Sequence, residues 1–143
     1  MAKPTPAEKE VAEPAKEPKY KQEELLTIFD EILFSGEYRE DVAIKGKLKV
    51  TFVTRSAADT AKITNELDSK KFNLMSSMQE HKALLCICYS ILAYNGKDLS
   101  ALSIENKKAF IEKLPTVVVA ALSNALIDFD LKTEAALEEM DSF

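Results

Sequence analysis

The sequence predicts a mainly α fold: a single helical domain of about five helices over residues 20–143, one short β-ribbon at about 42–54, and an extended Pro-rich N-terminal arm at residues 1–19. Three observations lead there. Four of the five prolines, Pro4, Pro6, Pro14 and Pro18, are confined to the arm. One stretch, Val42–Thr54, alternates with a period of two. Nearly everything after Arg55 carries apolar residues at helical spacing.

Residues 1–19, MAKPTPAEKEVAEPAKEPK, are otherwise rich in Lys and Glu, and Val11 is the only large aliphatic after Met1. Such a segment cannot bury enough apolar surface to offset the entropy of ordering it. It reads either as a solvated tail or as an arm that orders along a neighbouring subunit.

Residues 20–35, YKQEELLTIFDEILFS, place Leu25, Phe29, Ile32 and Leu33 on one stripe. This predicts a helix, ended by Gly36 where positive φ is tolerated. In VAIKGKLKVTFVT, residues Val42, Ile44, Leu48, Val50 and Phe52 share one parity, and Lys45, Lys47 and Lys49 the other. That is a strand pattern, either two short strands turning near Lys45-Gly46 or one bent strand. No further strand is expected, so the ribbon must pack on the helices or lend its edge to another chain.

Ser56 can cap a helix running to about Lys71, with Ile63 and Leu67 toward the core. Ser77-Met78-Gln79-Glu80 reads as a capping box opening a helix through Tyr94. Its second half, ALLCICYSILAY, is apolar on nearly every face, which places it at the centre of the domain. Asn95-Gly96 reads as its stop. In the polar cluster that follows, Asp98 or Ser100 can bond local amides while Leu99 and Leu102 tuck into the core. Ser103 caps IENKKAFIEKL, and Pro115 breaks the chain and opens the last helix at its first position. That helix has a stripe of Val118, Leu122, Ala125, Leu126 and Phe129, extended by Ala136, Leu137 and Met140. Its acidic end, Glu138, Glu139 and Asp141, is unfavourable beside a helix C-terminus and is expected to fray or to meet a basic partner.

The chain has 143 residues and a formal net charge of -5, with no dense Lys/Arg stripe. A nucleic-acid surface draws most of its affinity from phosphate neutralisation, so nucleic acid is not an expected partner. The N-terminus lacks the apolar core of a signal peptide. The longest apolar runs, Ala83–Tyr94 and Val117–Leu122, are too short to span a bilayer, so no membrane is expected. Cys86 and Cys88 sit two apart and point to nearly opposite sides of a helix. They cannot bond each other or share a metal, and read as reduced core residues in a cytosolic setting.

Catalytic patterns are missing. His81 is the one histidine and reads as a surface residue near a helix start. There is no HExxH, CxxC, GxGxxG or P-loop, and Gly36, Gly46 and Gly96 are isolated. Asp128 and Asp130 flank Phe129 and read as a solvated face rather than an acid pair. The expectation is a protein that is not an enzyme, with no catalytic, cofactor-binding or metal-ligating residues and no cofactor.

The order of these segments carries a resemblance. A ribbon, IKGKLKVTFVTR, is followed by a capped helix and then an apolar helix ending YSILAYNGKDLSALS. A short helix ending in Leu-Pro leads into VVVAALSNALIDFDLKTEAALEE. From about Ile44 to Phe143 this resembles small bacteriophage tail proteins of the tail assembly chaperone or baseplate-hub-accessory type. The closest points are the LAYNGKDLS turn, the LP-x-VV junction and the acidic end finishing in Phe143. The resemblance implies a non-enzymatic protein of the host cytoplasm that binds other phage structural proteins during assembly. The Pro-rich arm departs from a minimal chaperone. It leaves open a structural component of the mature particle (baseplate, tail or connector) held by its arm and strand edge. A host-directed regulator is a third reading, and a homo-oligomer is also open.

Overall fold

Residues 20–141 are described in the computed structural model, with side chains to Glu138. The expected arm at residues 1–19 and the side chains of Glu139, Met140 and Asp141 lie outside what is described. The element order is α1 (Gln22–Ser35), β1 (Arg39–Ile44), β2 (Leu48–Val53), α2 (Ala57–Ser69), α3 (Met75–Ser90), β3 (Ile91–Tyr94), β4 (Lys97–Asp98), α4 (Ile104–Glu112) and α5 (Thr116–Asp141). The architecture is mainly α, with five helices and a small antiparallel sheet among the described residues.

The sheet corrects the sequence reading. Its order is β1-β2-β3-β4, so two strands exist beyond the ribbon. The ribbon is a hairpin, not one bent strand: β1 and β2 pair from Arg39↔Val53 to Ile44↔Leu48. Lys45 and Gly46 turn at φ 52° and 71°, and Lys47 N–H donates to the Ile44 carbonyl. Two consecutive positive φ angles give the turn the hand that matches strand twist. As the parity predicted, Val50 and Phe52 are buried, and Val42, Ile44 and Leu48 pack against the same core.

The long apolar run is not one helix through Tyr94. The helix ends at Ser90, and Ile91 is already extended at φ -87°, ψ 127°. Ile91–Tyr94 then pairs with β2 through Val50↔Tyr94, Thr51↔Ala93 and Phe52↔Ile91. The register skips Leu92, which is the extra residue of a bulge. Its carbonyl accepts instead from Leu99 N–H at 2.8 Å. Asn95-Gly96, at φ 50° and 88°, is therefore the turn of a second hairpin rather than a helix stop. Beyond it, Asp98 Oδ1 accepts from the N–H and the hydroxyl of Ser100, and Leu99 is fully buried, as expected.

Two cations hold the helix-to-strand switch. Arg55, just after β2, donates to the buried Ser90 hydroxyl at 2.7 Å and to Asp130 of α5 at 2.7 Å. Lys107 of α4 is buried and donates its Nζ–H to the Ile91 carbonyl at 2.8 Å. The last carbonyls of a helix lack intrahelical partners and carry partial negative charge, so an ammonium there offsets part of its own desolvation.

Helix ends mostly follow the sequence signals. Gly36 stands at φ 82° and its N–H donates to Ile32 O. Ser56 and Asp59 form a reciprocal capping box, and Ser103 Oγ accepts from Asn106 N–H. Ser77-Met78-Gln79-Glu80 is not the start of α3, which begins two residues earlier after an uncapped Leu74. There Phe72 packs its ring on His81 and fixes the entry in place of a side-chain cap. Pro115 stands one position outside α5, where its carbonyl accepts from Val118 and Val119 N–H. The core side of α1 is rotated from the expected stripe: Leu25 and Ile28 are buried, Phe29 is half-buried and Leu33 is exposed. An α1 apolar over more than half its circumference fits either setting, and packing on α5 near Ala136 selects one.

The main core joins Val50 and Phe52, Ile87 and Cys88, Ile91, Leu99, Ile111 and the α5 residues Leu122, Leu126 and Phe129. A satellite cluster of Leu25, Ile28 and Ala136 seats α1, and Tyr38 packs on both clusters. Its ring stacks on Phe129 with centroids 6.0 Å apart.

Gly96→Val is expected to lower stability by about 1–3 kcal/mol, measured by urea unfolding, because a branched residue resists positive φ. No atom lies within 4 Å of an added Cβ there, so the cost is in the backbone alone. Lys107→Met is expected to cost about 1–3 kcal/mol, because it leaves the Ile91 carbonyl without its charged donor. Amide exchange should accelerate first in Ile91–Tyr94; protection there equal to wild type would show that the switch does not depend on Lys107.

Candidate interaction surfaces

Several partly buried polar side chains hold elements together. His81 Nε2 and Glu66 Oε2 are 2.8 Å apart, and Lys108 Nζ donates to the same oxygen at 3.2 Å. This ties α2, α3 and α4 through one carboxylate. His81 is thus partly buried and paired, not the surface residue expected. Burial works against the Glu66 charge, but the bonds from His81 and Lys108 outweigh it and hold the carboxyl below its ordinary range.

A second cluster sits between β1, α1 and α5. Lys132 Nζ reaches Glu40 at 2.7 Å and Glu24 at 3.3 Å. Tyr38 donates to Glu40 Oε1 at 2.6 Å. Burial, then that bond, pushes the Tyr38 phenol well above its usual value, so it stays a donor. Asp128 is exposed as expected, but Asp130 is not part of a solvated face: it accepts from Arg55. Burial pushes the Cys88 thiol up to about 12, and Cys86 and Cys88 are both unbridged. Such a thiol is a packing group rather than a nucleophile at neutral pH.

Among the described residues, no group of three or more His, Cys, Asp or Glu side chains is arranged to hold a metal ion. No described helix is long and apolar enough to cross a membrane. The concave features are shallow grooves. One runs between α3 and α5, lined by Ala83, Cys86, Ser123, Leu126 and Ile127. Another, of about 260 Å³, borders the end of α1 with Ile32, Gly36, Arg55, Glu134 and Leu137. A third lies between β1 and α5, lined by Val42, Ile44, Ala121 and Ala125. β1 ends the strand order, so its outer edge has no strand partner among the described residues; β2, by contrast, is paired on both sides.

What the surface does display is large apolar side chains. Phe34 is 90% exposed and Leu33 65%, both in the last turn of α1. Leu74 and Met75 stand out at the start of α3, and Ile127, Leu131 and Leu137 along α5. Sequence reasoning missed the α1 group because it assigned Leu33 to the core. The signal was there: LLTIFDEILF has more apolar residues than one stripe can bury.

Charge is divided between the two ends. Lys45, Lys47, Lys49 and Lys97 cluster at the two hairpin turns, which lie together because Asn95 N–H donates to Lys49 O. Glu23, Glu24, Asp30 and Glu31 occupy α1 with no cation among its residues, and Glu134 and Glu138 are exposed on the end of α5. Lys97 also lies 4.9 Å from the Phe110 ring centre, so it is more than a free surface lysine.

No protein-family model, no curated protein and no solved structure matches the chain.

Glu66 supplies a test of the polar framework. Its folded carboxyl binds protons less readily than the unfolded one. The stability it contributes is therefore complete above the unfolded value and is lost as pH falls through the folded value. Glu66→Gln is expected to cost about 1 kcal/mol at neutral pH. The gap to wild type should close in thermal melts below about pH 4. A gap that is constant with pH would mean that the carboxylate charge does not contribute.

Proposed function

We propose that this chain is a non-enzymatic bacteriophage tail protein that acts in virion assembly by binding other tail structural proteins, as a tail assembly chaperone. The observation that carries this reading is the pairing of committed polar groups with displayed apolar ones. The partly buried carboxylates and cations are used between elements, while Leu33, Phe34, Leu74, Met75, Ile127 and Leu131 face solvent. Exposed large apolar groups on several helices suit a protein that covers partner surfaces. The resemblance in the LAYNGKDLS and LP-x-VV segments names the setting. The partners are other phage structural proteins, met in the host cytoplasm; neither nucleic acid nor membrane is part of the proposal.

The outer edge of β1, without a strand partner among the described residues, favours a second reading, in which the chain remains in the particle as a structural component held by edge pairing and by residues 1–19. Quantitative mass spectrometry of purified particles, combined with deletion of the gene, separates the two. A chaperone is required for tails yet absent from finished particles. A fixed copy number in the particle supports the component. Normal tails without the gene would overturn both.

A further inference from the structure

The helix α1 combines two features that its place in the fold does not use. Its core side, Leu25 and Ile28, is fully engaged with α5 through Ala136. A second apolar line runs along its flank: Leu26, Phe29 and Leu33 follow one another at i, i+3 and i+7. Leu26 and Leu33 are exposed, Phe29 is half-buried, and Phe34 adds a nearly naked ring at the end. Glu23 and Asp30, seven residues apart and both exposed, run beside this line. Neither forms an ion pair among the described residues, whereas Glu24 on the other side reaches Lys132. The helix carries no Lys or Arg at all. Beyond its end, the groove with Ile32, Gly36 and Leu137 is rimmed by the exposed Glu134.

An apolar line bordered by carboxylates that have no ion pair among the described residues selects its ligand by charge as well as by shape. A helix offering leucine-like side chains at i, i+3/i+4 and i+7 fills the line. Lysines or arginines on that helix's margins meet Glu23, Asp30 and Glu134, while an acidic helix of equal hydrophobicity is repelled. The geometry points to the flank of α1, from Glu23 to Phe34, as a docking surface for a basic amphipathic helix of a partner protein. This rests on the partner-binding function proposed above and specifies the chemistry of one partner. The basic hairpin end of a second copy is a poorer occupant, because Lys45 and Lys47 stand in a turn and Lys49 lies with Ala43 and Thr51, so these lysines do not border a helical line of large apolar groups.

The test uses the full chain and two fluorescent synthetic peptides with the same leucine face, one with lysines and one with glutamates at every other position. Anisotropy titrations should show saturable binding of the lysine peptide, with the glutamate peptide weaker by at least about tenfold. The double variant Leu33→Ser/Phe34→Ser should weaken lysine-peptide binding about tenfold, whereas Leu74→Ser/Met75→Ser, an exposed apolar pair elsewhere, should leave it unchanged. Asp30→Lys, which removes no apolar surface, should weaken binding and flatten its salt dependence. All four altered side chains in the double variants are exposed, and melting curves check that folding is retained.

Equal loss in both double variants, or equal affinity for the two peptides, would overturn the proposal. So would dimerisation abolished by Leu33→Ser/Phe34→Ser, which assigns the face to a second copy. Tighter peptide binding after deletion of residues 1–19 would overturn it as well, assigning the face to the chain's own N-terminal segment. Failure of the peptide assays with tails still dependent on the gene removes this docking surface alone and leaves the assembly function standing.

Discussion

The structure depends on the change of backbone at Ser90–Ile91, where an apolar helix becomes a strand without an intervening loop. Arg55 binds the last helical side chain, Ser90, and Lys107 binds the first strand carbonyl, Ile91. Taking two cations largely out of water is costly in isolation. Here each meets a buried oxygen at the switch, and Arg55 also has Asp130 as counter-ion. Burial still disfavours the charge on Lys107, lowering its proton affinity. Once Ile91 is extended, β3 covers the free side of β2, and the Asn95-Gly96 turn returns the chain. Leu99 then enters the core, and α4 follows from Ser103. Had the helix continued to Tyr94, the second edge of β2 would lack a partner and Leu99 would be carried several ångströms away.

The same switch explains what could be read from the residues and what could not. Signals that act over a few residues were legible. Gly36 ends α1, Ser56 and Ser103 cap their helices, and the parity of Val50 and Phe52 gives the buried face of the ribbon. The second hairpin was not legible, because ALLCICYSILAY is apolar throughout and has no period to distinguish strand from helix. Asn-Gly serves both as a helix stop and as a hairpin turn, and only the presence of β2 beside it decides. The expectation of a lone ribbon failed for that reason. Lys107 and Arg55 were invisible for a different one: nothing local marks a cation as interior when its acceptor is 16 or 35 residues away. The pairing of His81 with Glu66, across 15 residues, is of the same kind.

The candidate surface was half legible. The surplus of apolar residues on α1 is plain in the sequence, but which of them face outward follows only from where α5 lies. Ala136 and the Tyr38–Phe129 stack fix that orientation. Tyr38 is the residue through which both clusters and the Lys132 network meet. The exposed flank of α1 is thus set by packing on its opposite side, and the α1–α5 contact bears on function without lying in the surface itself.

The division of charge gives the molecule a long-range property. α5 spans roughly 40 Å at 1.5 Å per residue. The hairpin lysines lie toward its first half, where Lys45 adjoins Ala121 and Asn124, and the carboxylates of α1, Glu134 and Glu138 lie toward its last turns. The helix's own peptide dipoles run in the same sense, positive at the start and negative at the end. Among the described residues the two separations therefore point the same way, at some local cost to α5. In the field of a charged partner such a body experiences a torque before any contact forms. Rotational search is shortened, and the benefit fades as salt shrinks the screening length below the size of the molecule.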